Sequence, residues 1–388
     1  MLQSFFNGLS GMFSFSRGLQ TVSNNISNMN TPGFRGSDNF FRSLNGGAGL
    51  GTSLNSTSMR TGAGEIRQTS NPTDLALNGS GFFILQDENG QTFYTRAGQF
   101  QFNEDGVLID TVSKARVMAL DSAGNLVPIS IQEQRTLPAE ATTSINFVGN
   151  LVSGSTTHSV SDVQVFDAAG TVHRLSFAFT NISTAASPNA WRIDVSDSNS
   201  TVIGTGEVRF GADATPLAGF NSMTFSLDVN GTSQDITINL GEPASFSGTT
   251  HFSGAASNVG ARVVDGHAVL GLTEIKFDED GTLQLTYSNG DKNEHQRLAL
   301  ATFNDESTLI QASGSLYRAP GVTAPQLGYA NSGGNGKVQG GNLELSNVDL
   351  TQEFADMLII QRGYQASSRV MSVSNEMIEQ LYNNTRGG

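Results

Sequence analysis

The side chains that most often carry chemistry are spread thinly along this sequence of 388 residues. Histidines that hold a metal ion on a helix stand three or four positions apart, and no two of the five histidines have that spacing. We therefore predict no metal site and expect each histidine to lie at the surface or at a strand edge. The five are His158, His173, His251, His267 and His295.

One acidic stretch, Phe277-Asp278-Glu279-Asp280-Gly281, has the composition of a calcium-binding loop. An EF-hand loop requires alternating oxygen ligands before its glycine and an acidic residue six positions after it. The residue at that position is Tyr287, so the loop pattern fails. The stretch instead predicts a hairpin turn that ends on a left-handed glycine.

Nucleophilic catalysis and phosphate binding find little support in the sequence. The chain has no cysteine, which excludes disulfides, thiolate catalysis and cysteine-ligated zinc. It has no Gly-x-Ser-x-Gly elbow with the required flanks, and segment 260–267 lacks the Gly-Lys-Ser/Thr of a phosphate loop. We therefore name no catalytic, cofactor-binding or metal-binding residue. A catalytic β domain whose residues converge from distant positions stays open as an alternative.

The charge balance argues against two classes of partner. The net charge is −14, and no cluster of Lys and Arg could neutralise phosphates, so nucleic acids and anionic membranes are disfavoured. The sequence contains no run of about 18 apolar residues, so we predict no transmembrane helix. Residues 1–18 lack the basic segment and cleavage site of a secretory signal, so we expect an extracellular location to require export with the N-terminus retained.

The elements that would position functional residues begin with a predicted N-terminal helix. Apolar residues recur at spacings of three and four, which is the heptad pattern of a helix that packs along one seam. The predicted assembly residues of this seam are Phe5, Leu9, Met12, Phe15, Leu19, Val22, Ile26 and Met29. The segment Asn30-Thr31-Pro32-Gly33 should end the helix, because proline and glycine both stop helices.

A predicted C-terminal helix follows Asp349, a candidate N-cap whose capping-box partner is Gln352. Its predicted assembly residues are Leu350, Phe354, Met357, Ile360, Tyr364, Val370, Met371, Met377, Ile378 and Leu381. They fall on two nearly opposite faces, and Ile359, Ala366 and Val373 extend the second, so one partner helix cannot bury them all. Contacts from neighbouring subunits are therefore expected. An intramolecular bundle of the two terminal segments stays open as the simpler alternative.

The middle of the chain switches to the alternation typical of β-strands. Five strands are predicted, at 82–85, 92–95, 99–102, 163–166 and 283–287. Five turns end on glycine, as hairpins with a left-handed residue require, at 87–90, 103–106, 121–124, 167–170 and 278–281. The stretches 102–108 and 277–283 share Phe, Glu, Asp, Gly and Leu. This match indicates two equivalent hairpins with an insertion between them.

These patterns predict a mainly β fold with α-helical termini that pair as a coiled coil. Two β domains are nested between the helices. Residues 1–30 plus 349–388 form a terminal helical core, and residues 31–70 plus 325–348 form an extended, glycine-rich linker region. Residues 71–145 plus 285–324 form an inner β domain, and residues 146–284 form an outer β domain.

Motifs at both ends of the chain resemble a known family. Residues 23–35, Ser-Asn-Asn-Ile-Ser-Asn-Met-Asn-Thr-Pro-Gly-Phe-Arg, resemble the N-terminal signature of the flagellar rod and hook proteins. Residues 340–365 are similar to that family's C-terminal signature, and residues 77–100 to its first β segment. Ser27 and Pro32 depart from the family's usual residues. The motif residues are Ser23, Asn24, Asn25, Asn28, Thr31, Gly33 and Phe34, then Gly340, Leu343, Glu344, Ser346, Asn347, Val348, Asp349, Gln361 and Arg362.

The resemblance implies a structural protein. The long insertion at 146–284 is similar to the outer domain of the hook subunit, which favours that member of the family over the distal rod. A hook subunit would self-assemble into a flexible helical tube and act as a universal joint that transmits motor torque to the filament. The polar, weakly charged outer domain would let neighbouring subunits slide past one another.

The same resemblance implies partners and a location. The partners would be further copies of the chain, the hook cap, the distal rod and the hook–filament junction proteins, with no membrane insertion. Export would use the flagellar type III apparatus and lead to the extracellular hook of the flagellum. A secreted β-rich adhesin is the alternative from another class. It would explain the strands rich in Gly, Thr and Asn, but not the paired heptad termini.

Overall fold

A computed structural model of the chain describes residues 2–44, 51–229, 231–254, 256–321 and 324–386. The chain divides into two compact units. The first comprises Met1–Glu133, Thr273–Thr286 and Gly290–Gly388, and the second comprises Gln134–Leu272 with Tyr287–Asn289. The main segment of the second unit thus begins and ends earlier than the outer domain predicted at 146–284.

The first unit opens with one helix and ten strands. They are α1 (Leu2–Ser27), β1 (Ser37–Ser43), β2 (Thr52–Met59), β3 (Ile66–Gln68), β4 (Leu75–Asn78), β5 (Phe82–Gln86), β6 (Thr92–Thr95), β7 (Phe100–Phe102), β8 (Leu108–Asp110), β9 (Arg116–Leu120) and β10 (Leu126–Pro128). The second unit contains the next ten strands. They are β11 (Thr136–Leu137), β12 (Ser144–Asn150), β13 (Thr157–Phe166), β14 (Val172–Asn181), β15 (Ala190–Ser196), β16 (Val202–Arg209), β17 (Ser222–Val229), β18 (Thr232–Asn239), β19 (Thr249–Thr250) and β20 (Gly260–Val263).

The last part of the chain returns to the first unit and ends in a long helix. Its strands are β21 (Leu270–Phe277), β22 (Thr282–Tyr287), β23 (Lys292–Arg297), β24 (Ala299–Thr302), β25 (Ile310–Ser313), β26 (Leu316–Arg318), β27 (Gln326–Tyr329), β28 (Lys337–Gly340) and β29 (Asn342–Glu344). A short 3-10 helix spans Glu306–Thr308, and helix α2 spans Leu350–Arg386.

The β core of the first unit is built around β5, whose first four residues are all buried. A strand covered on both faces reads as a continuous apolar run, which explains its sequence Phe-Phe-Ile-Leu. It pairs antiparallel with β6, β9 and β24. Phe303 packs edge-on against Phe82 and Tyr94, with ring centroids 5.9 and 4.9 Å apart.

Short strand pairs join the two halves of the chain within the first unit. β28 pairs with β4, and β29 pairs with β3. β1 and β2 form a further antiparallel pair, which we call the β1–β2 hairpin. The segments predicted as an extended linker therefore contain several hydrogen-bonded strands, and residues 45–50 of the predicted linker lie outside the described part of the chain.

Two sheets enclose the core of the second unit. One has the order β13-β14-β15-β16, and the other has the order β17-β18-β12, with β19 and β20 also paired to β12. Alternate residues of β14 are buried, so that Phe177 meets Phe147 of the other sheet with ring centroids 5.0 Å apart. Trp191 is fully buried in β15.

The predicted strands and turns are confirmed. All five predicted strands coincide with observed ones, and the five turn glycines have φ between 75° and 83°. In four of these turns an aspartate accepts hydrogen bonds from backbone N–H groups two and four residues later. Asp278, for example, accepts from Asp280 at 3.0 Å and from Thr282 at 2.7 Å. The acidic stretch at 277–281 is thus a hairpin turn.

The prediction for one histidine is wrong. His251 is only 6% exposed in the second unit, where its ring stacks on Phe210 and lies edge-on to Trp191. Because Phe210 and Trp191 lie far from His251 in the sequence, no local pattern signals this burial. Burial lowers the pKa of His251 below its ordinary value. Of the others, His295 is exposed, and the remaining three are partly buried.

Candidate assembly site

Helices α1 and α2 lie side by side and antiparallel in the first unit. Asn25, near the end of α1, faces Glu353 in the first turn of α2, and Gly8, near the start of α1, faces Met371. The predicted N-cap of α2 is confirmed, because the Asp349 carboxylate accepts a hydrogen bond from the N–H of Thr351 at 2.7 Å. The two termini of the chain therefore form one paired element.

Small residues bring the two helices close together. A Cβ atom at Gly8 would lie 2.9 Å from the backbone oxygen of Ser367, and one at Gly363 would lie 2.5 Å from the ring of Phe15. Neither position can hold a larger side chain without movement of its neighbour. The most buried α1 positions along this contact are Gly8, Gly11, Gly18, Val22 and Asn25, with Phe15 partly buried.

The seam predicted from large apolar residues lies beside this contact. Among the predicted α1 residues only Val22 is buried; Leu19 is exposed. The partly buried ones are Phe5, Leu9, Met12, Phe15, Ile26 and Met29. The heptad spacing correctly indicated a helix that packs along one seam. The buried positions, however, are mostly glycines that lie one residue away from the predicted apolar residues. Glycines repeating at that spacing were the signal that could have located them.

The predicted residues of α2 divide between two faces. Those partly buried are Leu350, Met357, Ile360, Met371 and Ile378, and those exposed are Phe354, Tyr364, Val370, Met377 and Leu381. The second predicted face is also open. Ile359 is 65% exposed, and Ala366 and Val373 are exposed as well. One chain therefore covers one face of α2 and leaves an apolar face uncovered among its own described residues.

The β1–β2 hairpin covers a second side of α1. The Ser14 hydroxyl donates to the backbone oxygen of Thr52 at 3.0 Å, and the Thr21 hydroxyl donates to Asn39 Oδ1 at 3.0 Å. The rings of Phe15 and Phe41 lie 6.4 Å apart. Helix α1 thus packs between α2 and the hairpin.

A buried carboxylate fixes the base of the helix pair. Glu353 is fully buried, and its carboxylate accepts from the Arg60 guanidinium at 2.7 Å and from Asn25 Nδ2 at 3.1 Å. Arg60 also binds Asp38 at 2.7 Å. Asn25 exchanges two further hydrogen bonds with the backbone of Ser37. Both helices, strand β1 and Arg60, which follows β2, are therefore held by one polar cluster, which we call the helix junction.

A second buried carboxylate lies where the chain halves meet. Glu344 is 1% exposed and accepts from Arg96 Nε at 2.8 Å, from Arg35 at 3.2 Å and from the N–H of Gly64 at 2.9 Å. Burial lowers the pKa of Arg96, and the charge of Glu344 opposes that shift. The nearby Tyr317 hydroxyl accepts from the backbone N–H of Arg35, and burial raises the pKa of Tyr317 to about 12.

The family-motif residues separate into structural and exposed groups. Gly33 has a φ of 66° and donates its N–H to the Glu344 backbone oxygen at 2.8 Å, beside the fully buried Phe34. Asn347 accepts from the N–H of Gly36 and donates to backbone oxygens of Arg60 and Gly62. Leu343 is buried, whereas Ser23, Asn24, Gly340, Asp349, Gln361 and Arg362 are exposed; Asn28, Thr31, Ser346 and Val348 are partly buried.

A groove opens beside the helix junction. Its volume is about 520 Å³, and its apolar lining includes Phe15, Phe40, Phe41, Ile359 and Ile360. Phe40 is 53% exposed. We call this feature the junction groove.

Within the described ranges, no group of three or more His, Asp or Glu side chains is placed to hold a metal ion. Neither described helix is long and apolar enough to cross a membrane.

Three family models match separate parts of the chain. The flagella basal body rod protein model matches residues 6–35. The flagellar hook protein FlgE/F/G D1 domain model matches residues 76–151. The flagellar basal body rod FlgEFG protein C-terminal model matches residues 339–384. These segments carry α1, much of the first β unit, and α2 with the strand before it.

Several relatives match nearly end to end. The chain is 30% identical over 466 residues to the flagellar hook protein FlgE of Treponema pallidum (strain Nichols), with 98% of both chains covered. It is 29% identical to that of Brucella suis biovar 1 (strain 1330), with 97% of both covered. It is 26% identical to that of Escherichia coli (strain K12), with 98% of this chain and 99% of the relative covered.

One solved structure shares the fold. The crystal structure of the Helicobacter pylori flagellar hook protein FlgE2 matches with a TM-score of 0.53 and 15% identity. The match covers 70% of this chain and 99% of that one.

Proposed function

Since this chain belongs to the flagellar hook protein FlgE family, we propose that its paired terminal helices are the element through which it polymerises into the hook. The chain is a structural subunit of the bacterial flagellar hook. The observation that carries the proposal is the open apolar face of α2. Ile359, Val370 and Met377 are 65%, 46% and 50% exposed, although α1 already covers the opposite face.

An open apolar face on a long helix is costly in water. Leaving a large aliphatic side chain exposed forfeits about 1.5–3 kcal/mol relative to burying it fully. Helices from neighbouring copies would bury this face, and many such contacts repeated along a polymer would stabilise it. The helix junction supports this role, because it fixes the position of the helix pair relative to the β1–β2 hairpin within a single chain.

The second unit fits the role of an outer, sliding contact in a flexible tube. Its core is closed between its own two sheets. Neighbours that touch it only through polar surfaces would shift past one another at low cost as the tube bends. Bulky or charged substitutions on its exposed strand residues should therefore alter hook bending, and unchanged bending would contradict this part.

The proposed partners are the hook cap, the distal rod, the hook–filament junction proteins and the flagellar type III export apparatus. We further propose that the hook lies outside the cell and that the N-terminal segment is kept on export. Gly8 and Gly11 already contact α2, so cleavage beyond them would shorten the helix pair. Mass spectrometry of the N-terminal peptide from isolated hooks would test this retention.

Electron microscopy of the purified chain tests the central proposal. The full chain at high concentration should form tubes or short curved filaments, and a version trimmed to residues 31–348 should not. This trimmed version keeps β28, β29 and the Glu344 cluster, so its β core is retained. Full-length Ala366→Pro should also fail to polymerise, because proline inside a helix costs about 3 kcal/mol or more. Its matched control is Ala366→Ser. Filaments from Ala366→Pro would contradict the proposal.

A further inference from the structure

The sheet that contains β12 in the second unit has a polar outer face. The residues before Asn146 in β12 and before Asn239 in β18 are fully buried, and side chains alternate along a strand, so these two asparagines point away from the core. They stand side by side in register. Arg262 of β20 stands opposite Asn146, and Ser222 of β17 stands opposite Asn239. These four residues cross four strands, and we call them the polar row.

Hydrogen-bonding groups of the polar row are open. Within the part of the chain that the structure describes, the side chains of Asn146 and Arg262 take part in no hydrogen bond or ion pair. The Asn239 amide donates to the Ser144 hydroxyl at 3.2 Å, which holds that amide in place. A carboxamide carries two N–H donors and one oxygen acceptor, so Asn146 can both donate to a ligand and accept from it.

A cavity opens at the centre of the polar row. Its volume is about 340 Å³, and its lining includes Asn146, Asn239, Val148, Asn221 and Glu242. This volume lies near the lower end of the range for small-molecule sites, which is about 300–1,000 Å³. The cavity therefore suits a small polar ligand better than a folded segment of another protein. We call it the outer-face cavity.

Two exposed aromatic rings adjoin the outer-face cavity. Phe246 and Phe252 are 66% and 46% exposed and stack on each other, with ring centroids 6.0 Å apart. Phe246 is followed by Ser247, which lines the cavity. The N–H of Phe252 donates to Asn150 Oδ1 at 2.8 Å, two residues after Val148 on β12. Stacked aromatic rings left this open to water mark a binding surface.

We propose that the outer-face cavity binds a neutral saccharide. Sugar hydroxyls both donate and accept hydrogen bonds, and the carboxamides of Asn146 and Asn239 offer both kinds of partner. The C–H face of a sugar ring packs against an aromatic ring, which Phe246 supplies. The charged groups beside the cavity are one cation, Arg262, and one anion, Glu242, so their charges balance and do not select an anionic ligand. The proposal does not depend on polymerisation.

Saturation-transfer NMR on the full chain, at a concentration too low for polymers, tests the site with four probes. They are glucose, galactose, N-acetylglucosamine and the acidic sugar glucuronate. Phe246→Ala removes the exposed ring, and Asn146→Ala removes the open amide. Asn199→Ala and Phe40→Ala are the matched controls, because they remove the same types of side chain from exposed positions elsewhere. Melting followed by Trp191 fluorescence shows whether each variant keeps the second unit folded.

We expect at least one of the three neutral sugars to bind, with affinity weakened on the order of tenfold or more by Phe246→Ala and by Asn146→Ala. The two controls should leave the affinity within about twofold. No response from any neutral sugar, a response to glucuronate alone, or binding that both site variants leave unchanged would overturn the proposal. A Phe246→Ala chain that binds sugar normally but polymerises only at a higher concentration would assign the aromatic pair to a contact between copies and would overturn it as well.

Discussion

Replacing Glu353 by alanine should loosen the helix pair without unfolding the β units. The substitution removes the carboxylate that accepts from Arg60 at 2.7 Å and from Asn25 at 3.1 Å. Arg60 keeps its second partner, Asp38, and Asn25 keeps its two backbone hydrogen bonds with Ser37. The β1–β2 hairpin therefore stays formed, while α2 loses its polar connection to the hairpin and to α1.

The expected magnitude follows from these contacts. Removing one partner of a buried ion pair typically costs about 3–5 kcal/mol. The Arg60 side chain is 15% exposed and keeps Asp38, so we place this loss below that range, at about 2 kcal/mol. Loss of a negative charge from the first turn of α2 adds about 0.3–1 kcal/mol through the helix dipole. The sum, about 3 kcal/mol, corresponds to on the order of a 100-fold shift in the open–closed equilibrium.

Amide hydrogen exchange in the unpolymerised chain measures this equilibrium residue by residue. In Glu353→Ala, protection of the α1 and α2 amides should fall on the order of 100-fold, with protection of β5 and β14 unchanged. Glu376→Ala removes an exposed carboxylate from the same helix and should change protection less than threefold. Equal protection in Glu353→Ala and the unmodified chain would refute the role assigned to Glu353.

Three further predictions concern packing and pH. Gly8→Ala should weaken helix pairing by about 1–3 kcal/mol, because the added methyl group overpacks against Ser367, although alanine gains about 1 kcal/mol of helix propensity. Polymerisation should then need a higher protein concentration, and an unchanged concentration would contradict this prediction. The hydrogen bond from His173 holds the pKa of Asp167 at about 2, so the stability that the Asp167 carboxylate contributes is complete above its ordinary pKa near 3.8 and is lost as pH falls through 2. Asp167→Asn should therefore flatten the dependence of thermal stability on pH between pH 4 and 2, monitored by Trp191 fluorescence. An equally steep profile would count against this role of Asp167. Because burial lowers the pKa of His251, the folded protein loses stability as pH falls below 6.5. His251→Phe should remove that decline in the same assay. A decline that persists in the variant would belong to another group.

Much of the fold was predictable because its signals are local. The apolar run Phe82-Phe83-Ile84-Leu85, the alternation in the neighbouring strands and the glycines that end the turns all depend on residues close in sequence. The same holds for the period of the terminal helices and the Asp349 cap.

The features that could not be predicted depend on distant partners. The Glu344 cluster joins Arg35 and Arg96 to a residue near the other end of the chain, and no local pattern shows that these charges meet. The predicted seam of α1 lies one position away from the buried positions, because the prediction followed large apolar residues. The observed contact uses Gly8 and Gly18, whose small size permits close approach but contributes nothing to an apolar pattern.

The pairing of β3 and β4 with β29 and β28 has a consequence for the order in which the chain can fold. A ribosome makes the N-terminal partners first and the C-terminal partners almost last, so α1, Arg35 and Arg96 wait through nearly the whole of synthesis for α2 and Glu344. Contacts this far apart in sequence form slowly, because the loop between them must close first. The second unit is made almost entirely of one continuous segment and can fold in the meantime. The helix pair, through which we propose that the chain polymerises, therefore cannot form before α2 is made.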